Sequence, residues 1–391
     1  MQILGRLATL AAILFVAACS GATSSFVPPL SAPQLRMHPN EGANALPGEG
    51  ANALPGATLA CTFNPAPGQG NCTIAINVTI PPISSSTTPA SLVPGLHPSD
   101  LQNAYALPSS KGGTTVAIVD AYDDPTAEAD LAVYRSTFGM PACTTQNGCF
   151  RKVSETGQGT SLPAVSTPWS DEIALDLDMV SASCPHCSIL LVEANSASID
   201  DLGRSVDEAV ALGSKIVSNS YYAFEWPGET SEDAHYRHNG AAITVSAGDA
   251  AETFYPAASP YVTSVGGTTL SGTDDAWKES AWKFGGQGCS QYEKRPRFQN
   301  GISCKSRSIV DLAAIADPQT GVATYATSAG GWVVAGGTSV GAPLVAGSYA
   351  LSGNPQGPAY SYAHRNAFHE LGGAWYTLAT GLGSPNGVAG L

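Results

Sequence analysis

Between Gly336 and Gly347 the chain reads Gly-Gly-Thr-Ser-Val-Gly-Ala-Pro-Leu-Val-Ala-Gly, with Ser339 on a tight turn between the glycine pair and a run of small residues. Glycines let a backbone approach another chain closely and take φ > 0. The small residues predict a helix entering a packed interior, and Pro343 is tolerable in its first turn, where the N–H has no helical partner. A serine at such a helix start has backbone N–H groups and the positive dipole end beside it, which suits a developing oxyanion. The plainer reading is a glycine-rich turn feeding a buried helix. A serine nucleophile also needs a base. Spacing from Thr167 to Val180 predicts a helix capped by Thr167, with Trp169, Ile173, Leu177 and Val180 on one apolar stripe. Glu172 and Asp176 lie one turn apart on the adjoining stripe with Leu175 and Met179, while Asp171, Ala174 and Asp178 are left for the more exposed side. Burying carboxylates is costly. Either these acids cap loops or pair with arginine, or they form a coupled pair that shares a proton and activates Ser339.

The elements that must hold these groups alternate. Thr114–Asp120, Ser188–Glu193, Lys215–Tyr221, Ala241–Asp249 and Tyr261–Gly266 read as short buried strands. A helix opens at Asp124-Pro125-Thr126 with Asp124 as cap, and another spans Asp200–Leu212, capped near Ser198. This alternation predicts an α/β fold, a mostly parallel sheet with helices on both faces. Such sheets place their sites at the carboxyl ends of strands, where Asp120 and the Gly-Asp pair ending at Asp249 stand.

At 391 residues the chain is long enough for one large domain with an appendage. Charged residues are only 12%, against 42 Gly and 28 Pro, as in compact, turn-rich exported proteins. A net charge of −14 argues against nucleic-acid binding. Residues 1–19 read as an export signal too short to span a membrane, ending in Val16-Ala-Ala-Cys19-Ser20. That ending resembles a bacterial lipobox, which implies lipidation at Cys19, an exported envelope lipoprotein or a secreted or periplasmic protein, and membrane contact only through the N-terminus. Residues 20–96 are rich in Pro, Ser, Ala and Gly and hold a perfect tandem repeat, Glu41–Gly48 and Glu49–Gly56. They read as a low-complexity tether with a small stapled segment, and residues 97–391 as the folded domain. Setting Cys19 aside leaves Cys61, Cys72, Cys143, Cys149, Cys184, Cys187, Cys289 and Cys304. In an exported chain these predict disulfides; roughly a hundred connectivities are open, and pairing between sequence neighbours is the simplest. Cys184-Pro-His-Cys187 also admits a redox or half-zinc reading.

Taken together, Glu172-Ile-Ala-Leu-Asp176, Ser246-Ala-Gly-Asp249 and Gly337-Thr-Ser339 with Pro343 resemble, in that order, the motifs of the sedolisin family of serine-carboxyl peptidases. The resemblance covers roughly residues 97–391 and implies a subtilisin-like fold and a Ser-Glu-Asp triad. It implies Glu172 as general base and acid for Ser339, Asp176 orienting Glu172, and a protonated Asp249 donating to the oxyanion, hence an acidic optimum. Asp120 extends the carboxylate network or simply binds nearby backbone. Tyr221 stands where some relatives carry a Trp against the network. Protein or peptide substrates, an acyl-enzyme endopeptidase mechanism, no cofactor for the chemistry and a monomer complete the expectation. Family members commonly bind calcium just before a motif present here as Thr380–Pro385; with Glu370 and Thr377 at its acidic positions, calcium is expected to be absent or weakly held. Many members also carry a long folded propeptide; the short segment here predicts no removal of an inhibitory prodomain. Two other readings stand: a subtilisin-type enzyme using Asp120 and a histidine, although none of His38, His97, His186, His235, His238, His364 and His369 lies in a His-Gly-Thr-His type of motif, and a catalytically inactive binding protein on the same fold.

Overall fold

The computed structural model describes residues 54–61, 65–109, 114–273 and 276–391. Cys19, the export signal and the tandem repeat up to residue 53 lie outside the described residues. The strands are β1 (Ala57–Leu59), β2 (Asn71–Cys72), β3 (Ala75–Asn77), β4 (Thr115–Ala121), β5 (Phe150–Ser154), β6 (Ser188–Ala194), β7 (Ile216–Asn219), β8 (Tyr221–Phe224) and β9 (Ala242–Ser246). After them come β10 (Phe254–Tyr255), β11 (Thr263–Ser271), β12 (Lys278–Ala281), β13 (Cys289–Lys294), β14 (Ser306–Ser308), β15 (Leu312–Ile315), β16 (Val322–Ala326) and β17 (Gly331–Gly336). The main helices are α1 (Pro98–Ala104), α2 (Ala127–Thr137), α3 (Thr167–Ser183), α4 (Ile199–Ala211), α5 (Asp233–Tyr236) and α6 (Gly341–Ser352).

The apolar runs become the central sheet, in the order β12-β11-β9-β7-β4-β6-β5, with β15 also on β11. Every pairing from β5 to β15 is parallel, and only β12 runs antiparallel at its edge. Strands covered on both faces need side chains that are apolar throughout, and Val116, Ile118, Val119, Leu191 and Val192 are all buried. Helices α3 and α6 pack on each other and on β4, β7 and β9, while α4 packs on β6, β4 and β7. Ser198 caps α4, its hydroxyl accepting from the Asp201 amide at 3.1 Å. α2 starts two residues after the predicted Pro125, because the Asp124 carboxylate bonds the amide and hydroxyl of Thr126 at 2.9 and 2.8 Å and holds that turn outside the helix.

Helix α3 departs from the amphipathic reading. It begins at Thr167 with Ser166 at the cap position, and every residue from Trp169 to Ser183 is buried. The side assigned to solvent is covered by β16 and the turn after it: Asp178 accepts from the Tyr325 amide at 2.9 Å and Asp171 from the Ser328 hydroxyl. The predicted boundary near residue 96 also moves. β3 joins the antiparallel sheet β1-β3-β17-β16, and β2 joins β10-β8-β2, so β1, β2 and β3 are built into the folded unit. Pairing on both sides buries Cys72, Thr73, Ile74 and Ala75, which a tether would have left in water. Among the described residues, no helix is long and apolar enough to cross a membrane.

Candidate active site

Ser339 lies in the turn from β17 to α6, fully buried. Gly337 takes φ +99°, and a Cβ there would meet the Thr73 carbonyl oxygen at 1.8 Å and Asp249 Oδ2 at 2.6 Å. Only glycine fits, and those two oxygens border the same small space. Asp249 follows the carboxyl end of β9, where its Oδ1 accepts from the amide and the hydroxyl of Thr338, both at 2.8 Å. Its Oδ2 is buried without a partner among the described residues. Burial pushes its pKa from 3.8 to about 7, against the pull of the two Thr338 bonds.

Glu172 enters from α3. Its Oε2 accepts the backbone N–H groups of Thr73 and Ile74, both at 2.8 Å. The Thr73 hydroxyl is in short contact with Ser339 Oγ. One turn along α3, Asp176 accepts from the Ser220 hydroxyl at 2.7 Å. Asp120, near the end of β4, is fully buried. Asp120 Oδ1 and Oδ2, Glu172 Oε1 and Asp176 Oδ2 are buried with no hydrogen-bond partner among the described residues. Desolvation drives the pKa of all three well above the ordinary carboxyl range; the negative charge of Asp120 adds to it at Glu172 and Asp176, while Ser339 and the Thr73 amide draw Glu172 down. The structure therefore brings Glu172 and Ser339 onto one short stretch of backbone, sets Asp249 beside the carbonyl of that stretch, and couples Asp120 and Asp176 to Glu172.

Two residues of this site went unread in the sequence. Ser220 sits at the junction of β7 and β8, and only the run of small polar residues Ser218-Asn-Ser220 ending a strand hinted at it. Thr73 lies in the strand-like run Cys72-Thr-Ile-Ala-Ile-Asn-Val-Thr-Ile80 at the end of the low-complexity segment, and no local signal marks it for the site. Tyr221, at the position of the relatives' Trp, turns its hydroxyl to Asn219 Oδ1 at 2.8 Å. His235 and His238 pair with Asp207 at 2.6 and 3.0 Å, and His97 and His364 bond backbone carbonyls. Among the described residues, no histidine hydrogen-bonds Ser339.

The cysteines close between neighbours, as Cys61–Cys72, Cys143–Cys149, Cys184–Cys187 and Cys289–Cys304. This removes the thiols that a zinc reading of Cys184 and Cys187 needs. Near the predicted calcium position Glu370 is exposed, and the Thr377 hydroxyl is engaged with Thr380 Oγ1 at 2.7 Å and the Thr380 amide at 3.0 Å. Among the described residues, the His-carboxylate cluster with metal-like spacing is instead Asp200, Glu232 and His235, whose ligand atoms lie within 4.8 Å of one another; Arg204 holds Asp200 at 3.0 Å.

A mostly parallel α/β sheet covered by helices, with a buried serine at a strand-to-helix turn beside buried carboxyls, is a subtilisin-like class of fold. The solved structure of Pseudomonas sedolisin, a serine-carboxyl proteinase complexed with two molecules of pseudo-iodotyrostatin, superposes with a TM-score of 0.64 at 23% identity, covering 75% of this chain and 96% of that one. Kumamolisin of Bacillus sp. (strain MN-32) is 26% identical over 361 residues, 74% of this chain and 62% of the relative. Xanthomonalisin of Xanthomonas sp. (strain T-22) is 34% identical over 115 residues, 24% of this chain and 14% of the relative. The chain thus spans less than two thirds of the length of these curated relatives. No family model matches. The chain is thus similar to the sedolisins kumamolisin and xanthomonalisin, and it shares the fold of Pseudomonas sedolisin.

Proposed function

We propose that this protein is an exported serine-carboxyl endopeptidase that hydrolyses peptide bonds through an acyl-enzyme on Ser339. The observation that carries the reading is the convergence on one backbone stretch: Glu172 accepts the Thr73 and Ile74 amides, and the Thr73 carbonyl shares the space beside Gly337 with Asp249 Oδ2. Glu172 takes the Ser339 proton as Oγ attacks a substrate carbonyl, then gives it to the departing amine. Asp249 holds its proton below about pH 7 and donates it as a hydrogen bond to the oxyanion, which an ionised carboxylate cannot do. Protons held among Asp120, Asp176 and Glu172 relieve their repulsion and keep Glu172 oriented, so this group titrates as a unit. The substrates are proteins or peptides, the chain acts as a monomer, and Cys19 anchors it to the cell envelope.

The test is casein hydrolysis from about pH 3 to about pH 8 by the exported chain, beside Ser339→Ala. Acid-limited activity lost in the variant is expected. A neutral or alkaline optimum dependent on Ser339 would point to a histidine base, and no activity at any pH to a binding protein.

A further inference from the structure

Helix α4 and the segment that forms α5 share a set of metal-ligating side chains apart from the serine and its carboxyls. Asp200 and Asp207 stand seven positions apart, two turns along one face of α4. Glu232 and His235 stand three apart in the facing segment. Asp207 Oδ2 lies 2.6 Å from His235 Nδ1. His238 Nε2 lies 3.0 Å from the other Asp207 oxygen and 2.9 Å from the His235 carbonyl oxygen, so Asp207 is held between two imidazoles. With its Nδ1 hydrogen donated to Asp207, His235 presents the Nε2 lone pair to Asp200 Oδ1 at 3.8 Å and Glu232 Oε2 at 3.9 Å. Those separations are too long for hydrogen bonds. They approach the spacing of donors around one small cation, whose bonds of about 2.0–2.2 Å set neighbouring ligand atoms about 3.3–3.5 Å apart. Arg204 engages Asp200 through Oδ2, at 3.0 Å, which leaves Oδ1 toward the imidazole. The ring itself sits where α4 has no side chain: a Cβ at Gly203 would meet His235 Cγ and Cδ2 at 2.7 Å. Glycine weakens a helix interior, and here its bare face seats the imidazole.

We propose that His235 Nε2, Asp200 Oδ1 and Glu232 Oε2 form a binding site for one divalent cation of the zinc class, which ties α5 to α4. A mixed set of imidazole nitrogen and carboxylate oxygens selects such an ion over calcium or magnesium, which take oxygen ligands. Asp207 supplies the outer carboxylate that orients a ligating imidazole and raises its basicity. Three protein ligands leave a fourth position for water. Charge points the same way. Asp200 and Asp201 share Arg204, while Asp207 and Glu232 add two more carboxylates, so a dication relieves the local excess. Asp200 is exposed, which gives the ion a path from solvent. The link has a structural consequence. α5 spans only four residues, Asp233–Tyr236, too few to hold a helix on propensity alone. It carries Tyr236, buried with its hydroxyl 3.3 Å from that of Tyr221 on β8, and Asp233, which accepts from the Tyr255 hydroxyl at 3.2 Å. Fixing α5 to α4 therefore steadies the support behind β8. The ligands include none of Ser339, Glu172, Asp176 and Asp249, so this site stands or falls apart from the peptidase reading.

The experiment uses the full exported chain carrying Ser339→Ala, so that no proteolysis accompanies the titration. The protein is stripped with EDTA, dialysed, and titrated with zinc chloride at about pH 7, with calorimetry for stoichiometry and Kd and thermal melting for stability. One zinc per chain is expected, with a rise in melting temperature of about 5 °C at about a hundredfold excess over Kd, reversed by EDTA. Manganese is expected to bind more weakly than zinc. His235→Gln and Glu232→Gln, each added to the same chain and checked for folding by melting in EDTA, are expected to weaken zinc binding by about 100-fold or more and to lose the zinc-dependent rise. Asp207→Asn, which touches the imidazole and not the ion, is expected to weaken binding by about 10–100-fold. Absence of both zinc binding and a zinc-dependent melting shift would overturn the inference. Zinc bound with unchanged affinity in both His235→Gln and Glu232→Gln would overturn it as well, by placing the ion elsewhere.

Discussion

In the proposed mechanism Glu172 is the general base, and its Oε2 accepts the Thr73 and Ile74 amides beside Ser339. Glu172→Gln keeps the size and one acceptor oxygen but cannot take a proton. It is expected to lower kcat by about 10²–10⁴-fold while leaving the melting temperature within a few degrees; near-normal turnover would remove it from the triad. Asp249 makes a separate prediction. Its pKa of about 7 means that the donor form is lost as pH rises through neutrality, so kcat should fall there. Asp249→Ala is expected to lower kcat by about 10²–10³-fold. Asp249→Asn retains a donor that does not titrate, so the neutral limb of its pH–rate profile should move upward, and an unmoved limb would assign that ionisation elsewhere.

The elements hold these side chains by burying polar groups in matched pairs. α3 is enclosed on all sides, with Asp171 and Asp178 answered by Ser328 and Tyr325, so the helix carrying Glu172 and Asp176 cannot shift without breaking those bonds. β11 is fixed similarly. Arg307 and Asp311, both fully buried, meet through two bonds of 2.7 and 2.6 Å, and Asp311 also accepts the Ser264 amide at 2.9 Å. Arg307→Met would leave the Asp311 carboxylate buried and uncompensated. A loss of about 3–5 kcal/mol in urea unfolding is expected, and a loss below about 1 kcal/mol would show that the pair is dispensable.

Over the whole molecule, raised carboxyl pKa values recur beyond the site. Burial lifts Asp171 to about 6, and Glu193 and Glu229 to about 9. Each keeps its proton in the folded state at a pH where the unfolded chain, with ordinary values of 3.8 to 4.5, has lost it. The folded state then binds more protons, so stability is full below about pH 4 and declines as pH rises toward about 9. The net charge of −14 near neutrality adds self-repulsion in the same direction. The melting temperature should therefore fall steadily from about pH 4 to about pH 9, the reverse of the usual acid-labile pattern; a rise over that range would contradict the buried-acid account. Acid stability and an acid optimum would then share one cause, carboxyls kept neutral by burial.

The sequence by itself determined the alternation of strands and helices and the one-turn spacing of Glu172 and Asp176, because each is set by local periodicity along the chain; the cysteine pairing it left open, and the structure closes it between neighbours. The sequence also placed Ser339 at a helix entrance, since glycine, small residues and Pro343 constrain only their own turn. Only the tertiary structure decided that α3 is covered on its far side, that Ser220 supports Asp176, and that Thr73 lies against Ser339. Those contacts join residues far apart in the chain. Thr73 and Ser339 are separated by 266 positions, and the β-branched run Thr73–Ile80 predicts a strand but not its partners, which β8 and β17 supply from elsewhere in the chain.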